Sequence, residues 1–470
     1  MNGNSATRRL KLKTEVGIVG GVSLIAGVMI GSGIFISPQT MMRNVMSPGA
    51  SLLIWACCGI LVLLASLSYA ELGTVICESG GDYIYILRTS GNLMAFIFAF
   101  TTVVIVKPSS AAIQALTFAQ NTVALFYGSC PPPVLMVKAV AFVVLLLMNI
   151  MNCMNVRLSI AINVLLLAVK FLALGVITIG GIILLFQGDT VGLQNSFEGT
   201  NFNINAIGMA FYQCLWSYSG WSTLNCVTEE IKHPEVNLPR AIMIAIPTVT
   251  IFYLLVNVSY LAAMTPREMM FSTAVAVTWG NKVLGGWGWV MSIAAALSSF
   301  GSLNGSFFSG GRVCFVAARE GHLPDILAMA HVRRLTPSPA LIFTTIISLI
   351  VLIPGDFEGI VNFFGFTAWF FYGVTLSGLL YLKIKKPDLP RAYSVPIVIP
   401  ILVLLAAVFL VLAPIIDNPR LEYLYVILFI LSGVVIYVPF IHYRLFPGLF
   451  DKLTVFLQLF LEVAPTDKNL

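Results

Sequence analysis

Long apolar runs recur along the chain, separated by short polar or turn-rich segments, and each has the length of about 20 residues that carries a helix across a hydrocarbon core. They are too long for the strands of a membrane barrel. The pattern predicts helices over residues 17–42, 50–75, 91–124, 134–153, 158–186, 205–230, 240–264, 283–318, 338–354, 358–382, 395–416 and 423–443, which makes twelve spans. Two of the runs are interrupted by small polar residues. Span one reads VMIGSGIFISP, with Gly31, Ser32 and Gly33 at mid-membrane, and span six reads LWSYSGW, with Ser217, Ser219 and Gly220 among tryptophans.

Composition turns the pattern into a class. The 470 residues are 58% hydrophobic and only 10% charged, with a mean hydropathy of +0.94, which leaves too little polar surface for a water-soluble globule. The expected fold is an all-α membrane protein. Lys and Arg orient it, because short cytoplasmic segments retain them. With the N-terminus inside, nineteen of the 26 basic residues fall on inner segments, five on outer ones, and Lys107 and Lys170 lie within spans. Both termini are therefore expected in the cytoplasm. The net charge of +6 is an orientation signal, and no basic block points to nucleic acid. No cleavable signal is expected, since the first apolar stretch runs well past the length of a signal core.

The two breaks sit five spans apart, the spacing of an inverted repeat whose Gly-interrupted helices occupy matching positions in each half. Unpaired backbone at that depth is tolerated only where protein covers it or it lines a cavity. A half-helix starting after GSG aims free N–H groups and a positive dipole end at the break, which suits a carboxylate. Carbonyls freed by unwinding span six and the first half of span one suit an ammonium. Together they describe an α-amino acid. Close helix packing through small residues is the alternative for either segment taken alone.

Lys170, in LLLAVKFLALG, sits near the middle of span five, where a lysine costs about 2.5–3.5 kcal/mol on insertion scales. It is a functional candidate for coupling the two repeats. Lys107 precedes Pro108, and a proline-broken helix would set it beside water or a carbonyl. Seven of eight cysteines lie in or beside apolar spans and read as small hydrophobes. Cys130, in the outer loop GSCPPP, is placed for an intermolecular disulfide or a free surface thiol. The four histidines are scattered without metal-ligand spacing, so neither metal nor cofactor is expected. Glu71 reads as hydrogen-bonded structure, Glu229 and Glu230 as caps or partners of Lys232 or Arg240, and FDKLTVFLQLFLEVAP as an interfacial amphipathic helix.

No phosphate loop of the GxxxxGK[ST] kind is present for an ATP-driven pump. Paired broken helices favour an occluding site over an open channel. An amino acid sensor that binds without transporting remains as a reading from another class.

The runs GSGIFISP, YAELGTVICESGGDYIYI, IVKPSS, SYSGWSTLNCVTEEIKHPEVNLPRAI and AAREGHLP resemble the light subunits of heteromeric amino acid transporters, within the amino acid, polyamine and organocation superfamily. The similarity covers nearly the whole chain and is closest in the branch holding the cystine and dibasic exchanger and its aromatic-preferring paralogue. It implies a LeuT-like fold of 5+5 inverted repeats plus two peripheral helices, and sodium-independent exchange by alternating access. Residues 1–16 would form a cytoplasmic tail, 17–186 the first repeat, 205–382 the second, 395–443 spans eleven and twelve, and 444–470 a cytoplasmic tail with the amphipathic helix. Position by position, the resemblance implies a carboxylate site at Gly31, Ser32, Gly33 and Ile34, and ammonium-binding carbonyls at Met29, Trp216, Ser217 and Ser219. It makes Trp216 an aromatic gate, Lys170 a stand-in for a sodium ion, and Cys130 the disulfide link to a single-pass glycoprotein heavy subunit, of the rBAT type. It also implies a plasma-membrane location, apical in epithelia.

Three departures bear on substrate. The cystine and dibasic exchanger carries an aspartate at the position of Ser219, and other light subunits that take cations carry one at the position of Ser222; both are neutral here. Desolvating a cationic side chain without a counter-charge is costly. Val28 replaces the usual threonine with another apolar choice. The expectation is exchange of neutral, large or aromatic L-amino acids, with exchange of cystine and dibasic for neutral amino acids as the alternative.

Overall fold

A computed structural model describes residue 14 and residues 16–127, 130–272 and 274–466, so the tail reading for residues 1–13, 15 and 467–470 lies outside the described residues. In chain order, α1 (Ile18–Met29) and α2 (Gly33–Val45) form span one, and α3 (Pro48–Val75) forms span two. The short α4 (Asp82–Ser90) leads to α5 (Asn92–Thr101) and α6 (Lys107–Tyr127), joined into span three by a π-helical turn over Thr102–Val106. Spans four and five are α7 (Val134–Met154) and α8 (Val156–Phe186). Span six is α9 (Ile204–Ser217), a turn, and a 3-10 helix (Thr223–Glu230), and span seven is α10 (Pro234–Ala263). The short α11 (Pro266–Phe271) and α12 (Val275–Val283) precede α13 (Trp289–Arg319), α14 (Ser338–Leu352) and α15 (Phe357–Lys385), spans eight to ten. Spans eleven and twelve are α16 (Val398–Asp417) and α17 (Leu421–Tyr437), and α18 (Pro447–Leu461) lies in the tail.

This is a LeuT-like all-α membrane fold. Among the described residues, eight helices are long and apolar enough to cross a membrane, or nine when α1 and α2, bent by 42°, count as one span. The remaining three predicted spans fall short for separate reasons. Span six is split. Ser292, Ser298, Ser299, Ser302, Asn304 and Ser309 lower the hydropathy of α13, which nonetheless buries all of them. α14 has only 15 residues.

Local signals set several boundaries. Ser47 accepts from the Ala50 N–H before α3, with Pro48 at the first helical position. Asn155 accepts from Arg157 and Leu158 N–H, turning the chain from α7 into α8. Span eight starts later than predicted, because Gly285 adopts φ +59° in a turn ahead of α13. Pro108 does not break span three: the helix widens into the π turn just before it, which absorbs the missing donor.

Acid–base pairs gather at the end that the charge pattern assigns to the cytoplasm. Fully buried Glu71 takes both Lys383 and Arg391 at 3.0 Å. Glu229 and Glu230 pair with Arg319 (3.5 Å) and Arg312 (3.1 Å), so Lys232 and Arg240 are not their ionic partners. The short 3-10 helix brings both acids against the end of α13. The tail adds a short ladder absent from the all-helical pattern, Met329–His331 (β1) antiparallel to Val463–Pro465 (β2), which ties α18 to the loop between spans eight and nine. Leu453, Phe456 and Phe460 of α18 remain more than half exposed, as an interfacial helix requires.

Candidate substrate site

The two interruptions meet. α1 ends at Met29 and α2 restarts at Gly33, while α9 ends at Ser217 and the chain turns through residues 218–222. A Cβ on Gly33 would lie 2.4 Å from Ser217 Oγ and 2.5 Å from its Cα. Gly220, at φ +99°, approaches Val28 so closely that a Cβ would fall 2.3 Å from Val28 Cγ1. Glycine is needed at both places because Ser217, backbone and side chain, fills the space of a side chain at Gly33, and the Val28 side chain fills it at Gly220.

Side chains from two intact helices hold the open backbone. Tyr253 of α10 directs its hydroxyl at the Met29 and Ser217 carbonyls, 2.6 Å from each, and so spans both breaks. Ser302 of α13 donates to the Val28 carbonyl at 2.6 Å, Ser298 to that of Ile30 at 3.1 Å, and Tyr260 to that of Ile34 at 3.3 Å. Trp216 Nε1 donates to Ser32 Oγ at 2.9 Å, latching the outer half of span six to the break in span one. The Trp216 carbonyl closes the turn onto the Ser219 N–H at 3.0 Å. At the start of α2 the Gly33 and Ile34 N–H groups have no intrahelical acceptor, as at every helix start.

A cleft runs from this junction toward the ends of the spans that the charge pattern assigns to the cytoplasm. Val28, Ser219, Gly220 and Phe364 line its upper part, and Thr102, Lys107, Asp82 and Ser309 its lower part. Beside it lies an aromatic chamber of Trp216, Trp221, Phe364, Trp369 and Tyr372. Trp216 meets Phe364 edge-on at 5.0 Å, and Trp221 packs on Tyr372 at 4.9 Å. Asp82 accepts from the Tyr69 hydroxyl and, at 3.3 Å, from Thr375. Burial pushes its carboxyl up to about 6, against the lowering effect of those hydrogen bonds and of Lys107.

Of the positions singled out from sequence, Met29, Gly31, Ser32, Gly33, Ile34, Trp216, Ser217 and Ser219 converge here. Lys170 of α8 is 1% exposed and donates to the Gly27 carbonyl, two residues before α1 stops. Its ammonium also borders Gly301, where a Cβ would come within 3.2 Å of Nζ, so it sits between α1 and α13. Cys130 is apart from the site and exposed. Tyr253, Ser298, Ser302 and Asp82 were missed. The signals were present for the first three: Tyr253, Asn257 and Tyr260, like Ser298, Ser302 and Ser309, recur at helical spacing and mark a polar face on an apolar helix.

Discontinuous helices whose breaks face one another, closed around a cleft by intact neighbours, define a secondary transporter of the broken-helix class. Residues 17–439 match the amino acid permease family. The b(0,+)-type amino acid transporter 1 of Mus musculus is 45% identical over 460 residues, covering 97% of this chain and 94% of its own length. The cystine/glutamate transporter of Homo sapiens is 39% identical over 466 residues, covering 98% and 93%. The large neutral amino acids transporter small subunit 2 of Mus musculus is 42% identical over 413 residues, covering 87% and 77%. The chain belongs to the amino acid permease family and is a multi-pass membrane transporter of its light-subunit group, not an enzyme.

Proposed function

We propose that this protein is a sodium-independent exchanger of neutral, large or aromatic L-amino acids, working by alternating access between repeats 17–186 and 205–382. The observation that carries the reading is the junction of the two breaks, where Gly33 abuts Ser217 and Gly220 abuts Val28. The substrate carboxylate would take the N–H groups from Ser32 to Ile34, with Gly31 allowing close approach. Its ammonium would take the carbonyls of Met29, Trp216, Ser217 and Ser219, competing with the Tyr253 hydroxyl that now holds two of them.

Selectivity follows from what surrounds the side chain. Ser219 is neutral, Val28 is apolar, and the neighbouring chamber is aromatic, which favours a large uncharged group and leaves a cation without a partner. Asp82 gives the alternative, exchange of cystine and dibasic for neutral amino acids, its one structural support, but Lys107 lines the same cleft and offsets its charge. Lys170, donating to the Gly27 carbonyl, would supply the fixed cation that makes sodium unnecessary.

Cys130 would join a single-pass heavy subunit of the rBAT type, and the complex would reside in the plasma membrane, apical in epithelia, with both termini cytoplasmic. The test is competition for labelled leucine uptake in cells co-expressing the heavy subunit. Tyrosine should displace label at concentrations at least about tenfold below arginine, a difference of about 1.4 kcal/mol. Equal displacement by arginine contradicts the selectivity.

A further inference from the structure

The lower part of the cleft holds two opposite charges that do not meet. Asp82, at the start of α4, and Lys107, at the start of α6, both line it. Among the described residues no ion pair within 4.0 Å joins them, and Lys107 has no other carboxylate partner within that distance. Tyr69 and Thr375 both donate to Oδ1 of Asp82, which leaves Oδ2 for another donor.

A second observation lies beside Lys107. Thr102 lines the same cleft, is 3% exposed, and its hydroxyl has no hydrogen-bond partner. A buried unpaired hydroxyl costs free energy unless something else satisfies it. It also begins the π turn Thr102–Val106, a departure from α-helical geometry that recurs at functional sites. The turn ends immediately before Lys107, whose aliphatic stem runs over Gly310, where a Cβ would lie 3.5 Å from Lys107 Cδ.

An acid and a base that both line the cleft without pairing, with an unsatisfied hydroxyl nearby, complement a ligand that carries both charges on adjacent atoms. We infer that the inner end of the cleft is a second station for the amino acid zwitterion, where Lys107 receives the carboxylate and Asp82 the ammonium. This rests on the amino acid transport reading above. The station uses side-chain charges, in contrast to the main-chain site at the breaks, and it makes no demand on the substrate's side chain. It is therefore a place of arrival and release on the inner face, with little selectivity of its own.

The experiment is exchange of labelled leucine by the full chain in liposomes of known orientation, varying the concentration on each face separately. Lys107→Gln and Asp82→Asn should each raise the half-saturating concentration at the inner face about tenfold, while that at the outer face stays within about twofold. Lys107→Arg should keep both values near wild type. Thr102→Val, which removes the unpaired hydroxyl without changing shape, should raise the inner value about threefold and leaves the test standing if a charge variant does not fold. Equal changes on both faces, or no change at either, overturn the inner station. Wild-type protein that binds leucine without exchanging it overturns the transport reading instead. In that case the station is read as a second equivalent of bound leucine, and its persistence in Lys107→Gln overturns it.

Discussion

Gly220 holds φ +99° with Val28 standing where a Cβ would go. Alanine there carries about 1–2 kcal/mol of backbone penalty and also pushes the two breaks apart. Gly220→Ala should lower leucine exchange at least about tenfold per molecule at the surface, measured as uptake normalised to surface-labelled protein. Adding Val28→Ala should recover part of that loss, since it relieves the clash but not the backbone conformation. Under the proposed function Ser219 sets selectivity instead: Ser219→Asp places a carboxylate in the cleft, and arginine uptake should rise relative to leucine. Unchanged cation uptake by a folded variant would contradict the side-chain assignment. The residues at the breaks were legible in the sequence because small polar residues in an apolar run are locally anomalous. Asp82 was not, because a single acid beginning a short connecting helix is ordinary by itself. Only the approach of Tyr69, Thr375 and Lys107 from three other helices gives it a role.

At the scale of elements, the broken helices depend on unbroken ones. α10 supplies Tyr253 and Tyr260, α13 supplies Ser298 and Ser302, and α8 supplies Lys170, so the three together hold the carbonyls of residues 27–30, 34 and 217. Lys170→Met keeps the length of the side chain and removes the donor and the charge. It should reduce exchange at least about tenfold in a protein that still reaches the surface; uptake near wild type would remove lysine from the coupling. Glu71 ties α3 to Lys383 of α15 and to Arg391 in the segment before α16. Glu71→Ala leaves two cations in place of a buried triad and should destabilise the fold by about 3–5 kcal/mol, read as a lowered Tm of the purified protein. Hydropathy found the number of spans but not these partnerships, because it averages over a helix and discards which face a serine or tyrosine occupies. α13 shows the limit most clearly: its buried serines make it one of the less apolar spans and one of the most central.

At the scale of the whole molecule, burial varies widely from span to span. The most apolar window of span three is 78% buried and that of span twelve 17%, while spans four and five, at 22% and 33%, are no more buried than α16 at 33%, so helices of the first repeat also lie at the rim. Glu71, Glu229 and Glu230 pair with Lys383, Arg391, Arg319 and Arg312, basic residues that the charge pattern assigns to the inner segments. Cys130, between α6 and α7, is exposed. Cys130→Ser should abolish the high-mass species on a non-reducing gel, and its survival would exclude that cysteine as the link. The proposed function turns on movement of a neutral zwitterion through the junction of the breaks, and counterflow measures that directly. Vesicles preloaded with labelled leucine should release it when unlabelled leucine or tyrosine is added outside, without sodium, and hardly at all with arginine. Leucine that binds but stays inside, or release driven equally well by arginine, would contradict the account.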